Sequence, residues 1–149
     1  ANIATLNEQM PTLEVAPTDV AVGAAELIEE VSEGKITGEE NRYSKTDLWD
    51  FNANLEGSQA AIEDLTPALE QADPELLEQI NTGFADVNAT LEPLRQGDGW
   101  VLYCTENDQY PSPRCPEVTV DQQTVDTLKA QLAGLSENVS QVAGVLNLQ

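Results

Sequence analysis

The amino-acid sequence predicts an all-α fold, an antiparallel four-helix bundle with one disulfide-fastened loop. Three observations predict it. Apolar residues recur in alternating steps of three and four along four segments, most breaks between those segments are short, and the one long break holds both cysteines. Alternating steps of three and four return side chains to one face of a helix.

The shortest of the four fits Thr18 to Glu33, with Val20, Ala24, Leu27 and Val31 on one side and Gly34 as the stop. Next comes a seam of Leu48, Phe51, Leu55, Ile62, Leu65 and Leu69, with Ser58 at its one polar step. Pro67 is expected to kink this helix without ending it, because the seam continues beyond it. After a short link at Gln71 to Asp73, Asp73-Pro74 reads as a cap and first-turn proline, and Leu77, Ile80, Phe84, Val87, Leu91 and Leu94 repeat the rule as far as Gly97. Two helices joined so briefly should lie antiparallel as neighbours. The last seam, capped by Asp121, is Val125, Leu128, Leu132, Leu135, Val139, Val142 and Leu146.

Between the last two helices lies a loop from Gly97 to Thr119 whose prolines oppose regular structure, and it is expected on the surface. Cys104 and Cys115 lie eleven positions apart in it, and a disulfide is the natural pairing. Closing such a loop contributes roughly 3 kcal/mol in the chain-entropy account. Two thiolates in a chain with no histidine fall short of a zinc site. Trp49 and Trp100 are both expected as core anchors. Residues 1–17 fit the scheme poorly: Ile3, Leu6, Met10 and Leu13 have helical spacing but Pro11 interrupts them, so they read as the tail of a helix from a preceding half-domain, with an ordinary ragged terminus as the alternative.

The chain carries 27 acidic and 6 basic residues and no histidine, a formal net charge of −21. Nucleic acid is excluded as a partner, because phosphate contacts need clustered Lys and Arg. No apolar run approaches the ~20 residues that span a bilayer, so no transmembrane segment is expected. Without histidine the usual base for a serine or cysteine nucleophile is missing, and no glycine-rich phosphate loop is present.

What remains is carboxylate. If the chain is helical from about Glu40, then Glu40, Tyr43, Asp47, Asp50 and Asn54 fall within an arc of roughly eighty degrees. That stripe borders the seam of Leu48, Phe51 and Leu55, and oxygen-rich clusters of this kind suit hard cations such as ferric iron, calcium or magnesium. The plainer alternative is that these acids ring a helix start, where negative charge complements the helix dipole.

The same stretch carries a family resemblance. Glu30-Val31-Ser32, Lys35-Ile36-Thr37-Gly38-Glu39-Glu40, Arg42-Tyr43-Ser44, Thr46-Asp47-Leu48-Trp49-Asp50-Phe51 and Ala53-Asn54-Leu55-Glu56-Gly57-Ser58-Gln59 resemble the EfeO/EfeM group of imelysin-like proteins. That group comprises periplasmic or lipid-anchored (lipoprotein) components of bacterial iron-uptake systems. The resemblance implies that residues 18–149 are the carboxy-terminal bundle of a two-bundle protein whose amino-terminal half carries a His-x-x-Glu metal motif. It further implies an extracytoplasmic, non-enzymatic role: binding iron or another hard cation in a cleft shared with that amino-terminal half or a second subunit, beside the membrane components of the uptake system. Glu39, Glu40, Asp47, Asp50 and Glu56 are the acids this half would bring.

Two departures from the family pattern stand out. The family commonly has histidine where this chain has Lys45, which cannot coordinate a metal while protonated. The cysteine loop resembles an insertion and is expected to serve a local partner. An alternative to cation capture is a structural or adaptor bundle whose acids recruit a basic protein. Peptidase activity, with which imelysin-like proteins have been grouped, would need a water-activating centre that this chain does not supply by itself.

Overall fold

The structure, a computed structural model, describes residues 3–148; residues 1, 2 and 149, which the expected boundaries include, lie outside it. Among the described residues six α-helices follow in order: α1 (Ile3–Gln9), α2 (Pro17–Glu33), α3 (Asp47–Ala72), α4 (Pro74–Leu91), α5 (Gln122–Ser140) and α6 (Val142–Val145). The four long ones form the antiparallel bundle, with α2 packed on α3 and α5, and α4 packed on α5 and α3. Its interior is the set of seams: Ile28, Leu55, Leu69, Ile80, Leu128 and Leu132 are all essentially inaccessible to water. Burying each such side chain contributes about 1.5–3 kcal/mol, which offsets the chain entropy lost on folding.

Local chemistry sets the ends. Pro17 opens α2 with its fixed φ and missing N–H. Asp73 is the entire link between α3 and α4, and its Oδ1 accepts the N–H of Leu76 at 3.0 Å. Asp121 caps α5 in the same way, accepting from the Thr124 N–H at 2.7 Å. α3 passes through Pro67 to Ala72, because Leu65 and Leu69 on either side are anchored in the core. The single polar step of its seam, Ser58, is fully buried and donates to the Ala24 carbonyl of α2 at 2.8 Å.

Elements after α3 also end and divide differently from the sequence expectation. α4 ends at Leu91, not near Gly97, since Pro93 has no N–H to continue the ladder; a 3-10 turn, Glu92–Leu94, follows. The chain then makes a short hairpin in which Arg95–Gln96 (β1) pairs antiparallel with Gly99–Trp100 (β2), Gly97 taking the left-handed turn conformation at φ 60°. The last seam is split at Gln141 into α5 and α6.

The cysteine loop is also less superficial than expected. Cys104 and Cys115 are joined, and Trp100, Tyr103 and Cys104 are buried, so the start of the loop is part of the core. Trp49, expected inside, is 39 % exposed and lies against Gly99. By contrast α1 and the turn after it bury nothing, leaving Ile3, Leu6, Met10 and Leu13 exposed. Among the described residues no helix is long and apolar enough to cross a membrane.

Ser58→Ala should lower stability by about 1 kcal/mol, the net value of an intramolecular hydrogen bond. Urea unfolding followed by helical circular dichroism will measure it.

Candidate functional site

The segment from Glu40 to Thr46, expected to be helical, is not a helix. After α2 the chain makes a 3-10 turn, Lys35–Thr37, then passes Gly38 at φ 72°, a turn across 40–44, and Lys45 at φ 60° before α3 begins at Asp47. A left-handed residue with a side chain costs about 1–2 kcal/mol and interrupts a right-handed helix, so Glu40 and Tyr43 do not share a helical stripe with Asp47 and Asp50. The surroundings hold Lys45 in that conformation. Its N–H donates to Asn41 O at 2.7 Å, its carbonyl accepts from Tyr103 N at 2.8 Å, and its ammonium lies 2.6 Å from Asp108 Oδ2.

Asp47 and Asp50 occupy the first turn of α3, where their charge complements the helix dipole. Asn41 draws them together: its backbone N–H donates to Asp47 Oδ1 at 3.2 Å, and its side-chain amide donates to Asp50 Oδ2. Ser44 Oγ donates to Asn41 Oδ1 and lies 2.9 Å from Thr46 Oγ1, adding two hydroxyls to the same oxygen-rich corner. Asp50 is exposed, whereas Asp47 is 1 % exposed and its Oδ2 finds no hydrogen-bond partner among the described residues. Burial pushes the Asp47 carboxyl above its usual range, opposed by the Asn41 N–H and the Lys45 charge.

The remaining candidates stand apart. Glu40 is paired with the Lys35 ammonium at 2.6 Å. Glu39 is exposed, and Glu56, which accepts from Asn52 at 2.8 Å, lies roughly 13 Å along the α3 axis from Asp47. Among the described residues no group of three or more His, Cys, Asp or Glu side chains is placed to hold a metal ion. A groove of ≈ 520 Å³ lies elsewhere, between α4 and α5, lined by Glu75, Glu78, Asp86 and Gln131.

The cysteine loop covers the 35–46 turn. Besides the Lys45 contacts, the Tyr103 hydroxyl donates to Ile36 O at 2.8 Å, the Arg42 guanidinium lies 5.0 Å from the Tyr110 ring centre, and Ser112 Oγ donates to Tyr43 O at 3.4 Å. Burial, then the charges of Asp47 and Asp108, push the Tyr103 phenol well above its usual range, so it stays a neutral donor.

A family model described as Imelysin (Peptidase_M75) matches residues 2–142. The chain belongs to the imelysin family. It is similar to proteins named "Iron uptake system component EfeO" from Escherichia coli (strain K12), Shigella flexneri and Shigella sonnei (strain Ss046). Each is 39% identical over 149 residues, a match covering 99% of this chain and 36% of the relative. The imelysin chain thus spans little more than a third of the length of these curated relatives.

Lys45 and the cysteine loop, singled out separately in the sequence, meet in the fold, because Lys45 finds its counter-charge on that loop. Asn41 and Asp108 were not anticipated as members of the site. Two acids, Glu106 and Asp108, stand between the cysteines, so the sequence signals a counter-charge on the loop without saying which acid supplies it.

A carboxyl whose folded pKa is raised above 3.8 destabilises the fold while ionised, and the penalty disappears as pH falls through the folded value. Asp47→Asn keeps the acceptor for the Asn41 N–H and removes the charge. In chelator-treated protein it should raise the melting temperature at pH 7, by an amount that shrinks as the pH approaches 3.8, as thermal unfolding at several pH values will show.

Proposed function

We propose that this imelysin chain is an extracytoplasmic, non-catalytic component of a bacterial iron-uptake system, whose Asp47 and Asp50 offer carboxylate oxygens to an iron ion as cargo. One observation carries the reading: a buried carboxylate, Asp47, keeps one oxygen unpartnered beside a second carboxylate, at the start of a helix within the segment that carries the family resemblance. Burying an ionisable oxygen without a partner costs free energy, so the arrangement is intelligible where a cation completes it.

Two acids and an amide are too few oxygens for a hard cation that takes six or more. The remaining ligands are assigned to an amino-terminal half of the same protein or to a second subunit, with Glu39, Glu40 and Glu56 on the flank that faces it. The greater length of the relatives and the exposed apolar face of α1 support a partner of this kind, residues 1–17 then being the tail of a preceding half and 18–149 the second bundle. The Cys104–Cys115 disulfide supports an oxidising compartment such as the periplasm or cell surface. With no histidine and both cysteines joined, the chain itself offers neither the usual base nor a thiol nucleophile for peptide hydrolysis.

A second reading, an adaptor bundle that binds a basic protein, is favoured by Lys45, whose ammonium is already paired with an acid, Asp108, beside the corner. Anaerobic calorimetry with Fe²⁺ on the protein comprising both halves separates the two. Asp47→Asn with Asp50→Asn should weaken binding on the order of a hundredfold, as expected when two charged ligands are lost. Unchanged affinity would remove both residues from the site, and a basic partner retained in the presence of chelator would favour the adaptor.

A further inference from the structure

We infer that Asp108 is a positioning residue: carried on the disulfide loop, it draws the Lys45 ammonium away from Asp47 and so keeps Asp47 Oδ2 free for an incoming cation. The inference rests on the reading of Asp47 as a cation ligand. Lys45 and Asp47 are two residues apart, and each is 1 % exposed. A buried ammonium must be paired, because leaving it alone in a low-dielectric interior is far costlier than any single hydrogen bond. Two carboxylates are available to it. Asp108, with a side chain 14 % exposed, takes it as an ion pair at 2.6 Å and has no other partner for that Oδ2, while Asp47 Oδ2 has neither an ion pair nor a hydrogen bond among the described residues.

The loop is built to hold that choice. Asp108 Oδ1 is fixed by the Tyr110 N–H at 2.8 Å, which presents Oδ2 to the lysine. Tyr110 sits against Arg42, the loop is closed by Cys104–Cys115, and Tyr103 N grips the Lys45 carbonyl. With Lys45 set against Asp47, Asp50 and Asp108, one positive and three negative charges leave the corner two charges short of neutrality. An ammonium on Asp47 would occupy its free oxygen and repel a metal ion, since lysine has protons to donate and no lone pair to offer. Asp108 therefore decides whether Asp47 Oδ2 is left for a cation or taken by the ammonium.

The test uses Mn²⁺ titrated into the two-half protein, with the crystal structure of the metal-free Asp108→Asn variant as a readout independent of metal. In that variant Lys45 Nζ should move onto Asp47 Oδ2, and Mn²⁺ affinity should fall by roughly ten- to a hundredfold, the value of a charge-assisted hydrogen bond. Asp108→Asn combined with Lys45→Met removes the competitor and should return affinity to near the parent value, which a merely structural role for the loop would not do. Lys45→Met alone should bind Mn²⁺ at least as tightly as the parent, and this serves if Asp108→Asn does not fold. Parent-like affinity in Asp108→Asn, or no rescue in the double variant, overturns the inference while leaving Asp47 as a ligand. If Asp47→Asn itself leaves Mn²⁺ binding unchanged, the reading of the site fails first and the inference with it.

Discussion

A lysine ammonium closed off from water governs this end of the molecule. Taking such a charge out of solvent costs several kcal/mol, and a single well-placed carboxylate must return most of it. Lys45 obtains that partner from Asp108, sixty-three positions away in sequence. Much else follows from the need to bring those two groups together. The left-handed backbone at Lys45 directs the side chain inward, Tyr103 secures its carbonyl, and the disulfide loop folds down over the 35–46 turn instead of projecting into solvent. The ion pair, the strained residue and the cross-link are parts of one arrangement, and its geometry fixes where α3 starts.

The bundle was legible in the sequence because its signal is local and repeated. Each seam spans several turns, so one polar step, as at Ser58, or one proline, as at Pro67, does not erase it. Caps are equally local: Asp73 and Asp121 act within three residues of themselves. The start of α3 was misread for the opposite reason. Residues 40–46 contain no proline, and propensity there does not forbid a helix; what interrupts it is the conformation of Lys45, imposed by contacts from a distant loop. Trp49 and Trp100 show the same limit. Composition marks both as anchors, yet only tertiary packing decides that Trp100 goes inside and Trp49 stays half open.

The site was legible as a neighbourhood and not as a set of ligands. Asp47 and Asp50 do meet, through Asn41, which periodicity gives no reason to single out. Glu40 and Glu56 lie in the same stretch and carry the same charge, but the first is taken by Lys35 and the second sits two turns further on. Charge patterns locate acids along a chain. Which of them remain without a partner depends on every donor that folding brings near, and that count is a property of the tertiary structure.

Gly99 adds a consequence of its own. A Cβ built at this position would stand 2.9 Å from Trp49 Cζ2, so the hairpin that leads into the disulfide loop lies flat on an indole of the first turn of α3. One strand residue further, the buried Trp100 ring stacks beneath the Arg95 guanidinium at 4.3 Å. Two indoles of different solvation therefore flank a single glycine at the root of the loop. Their intrinsic fluorescence is a built-in optical reporter of whether the loop is seated, readable without attaching any label to the protein.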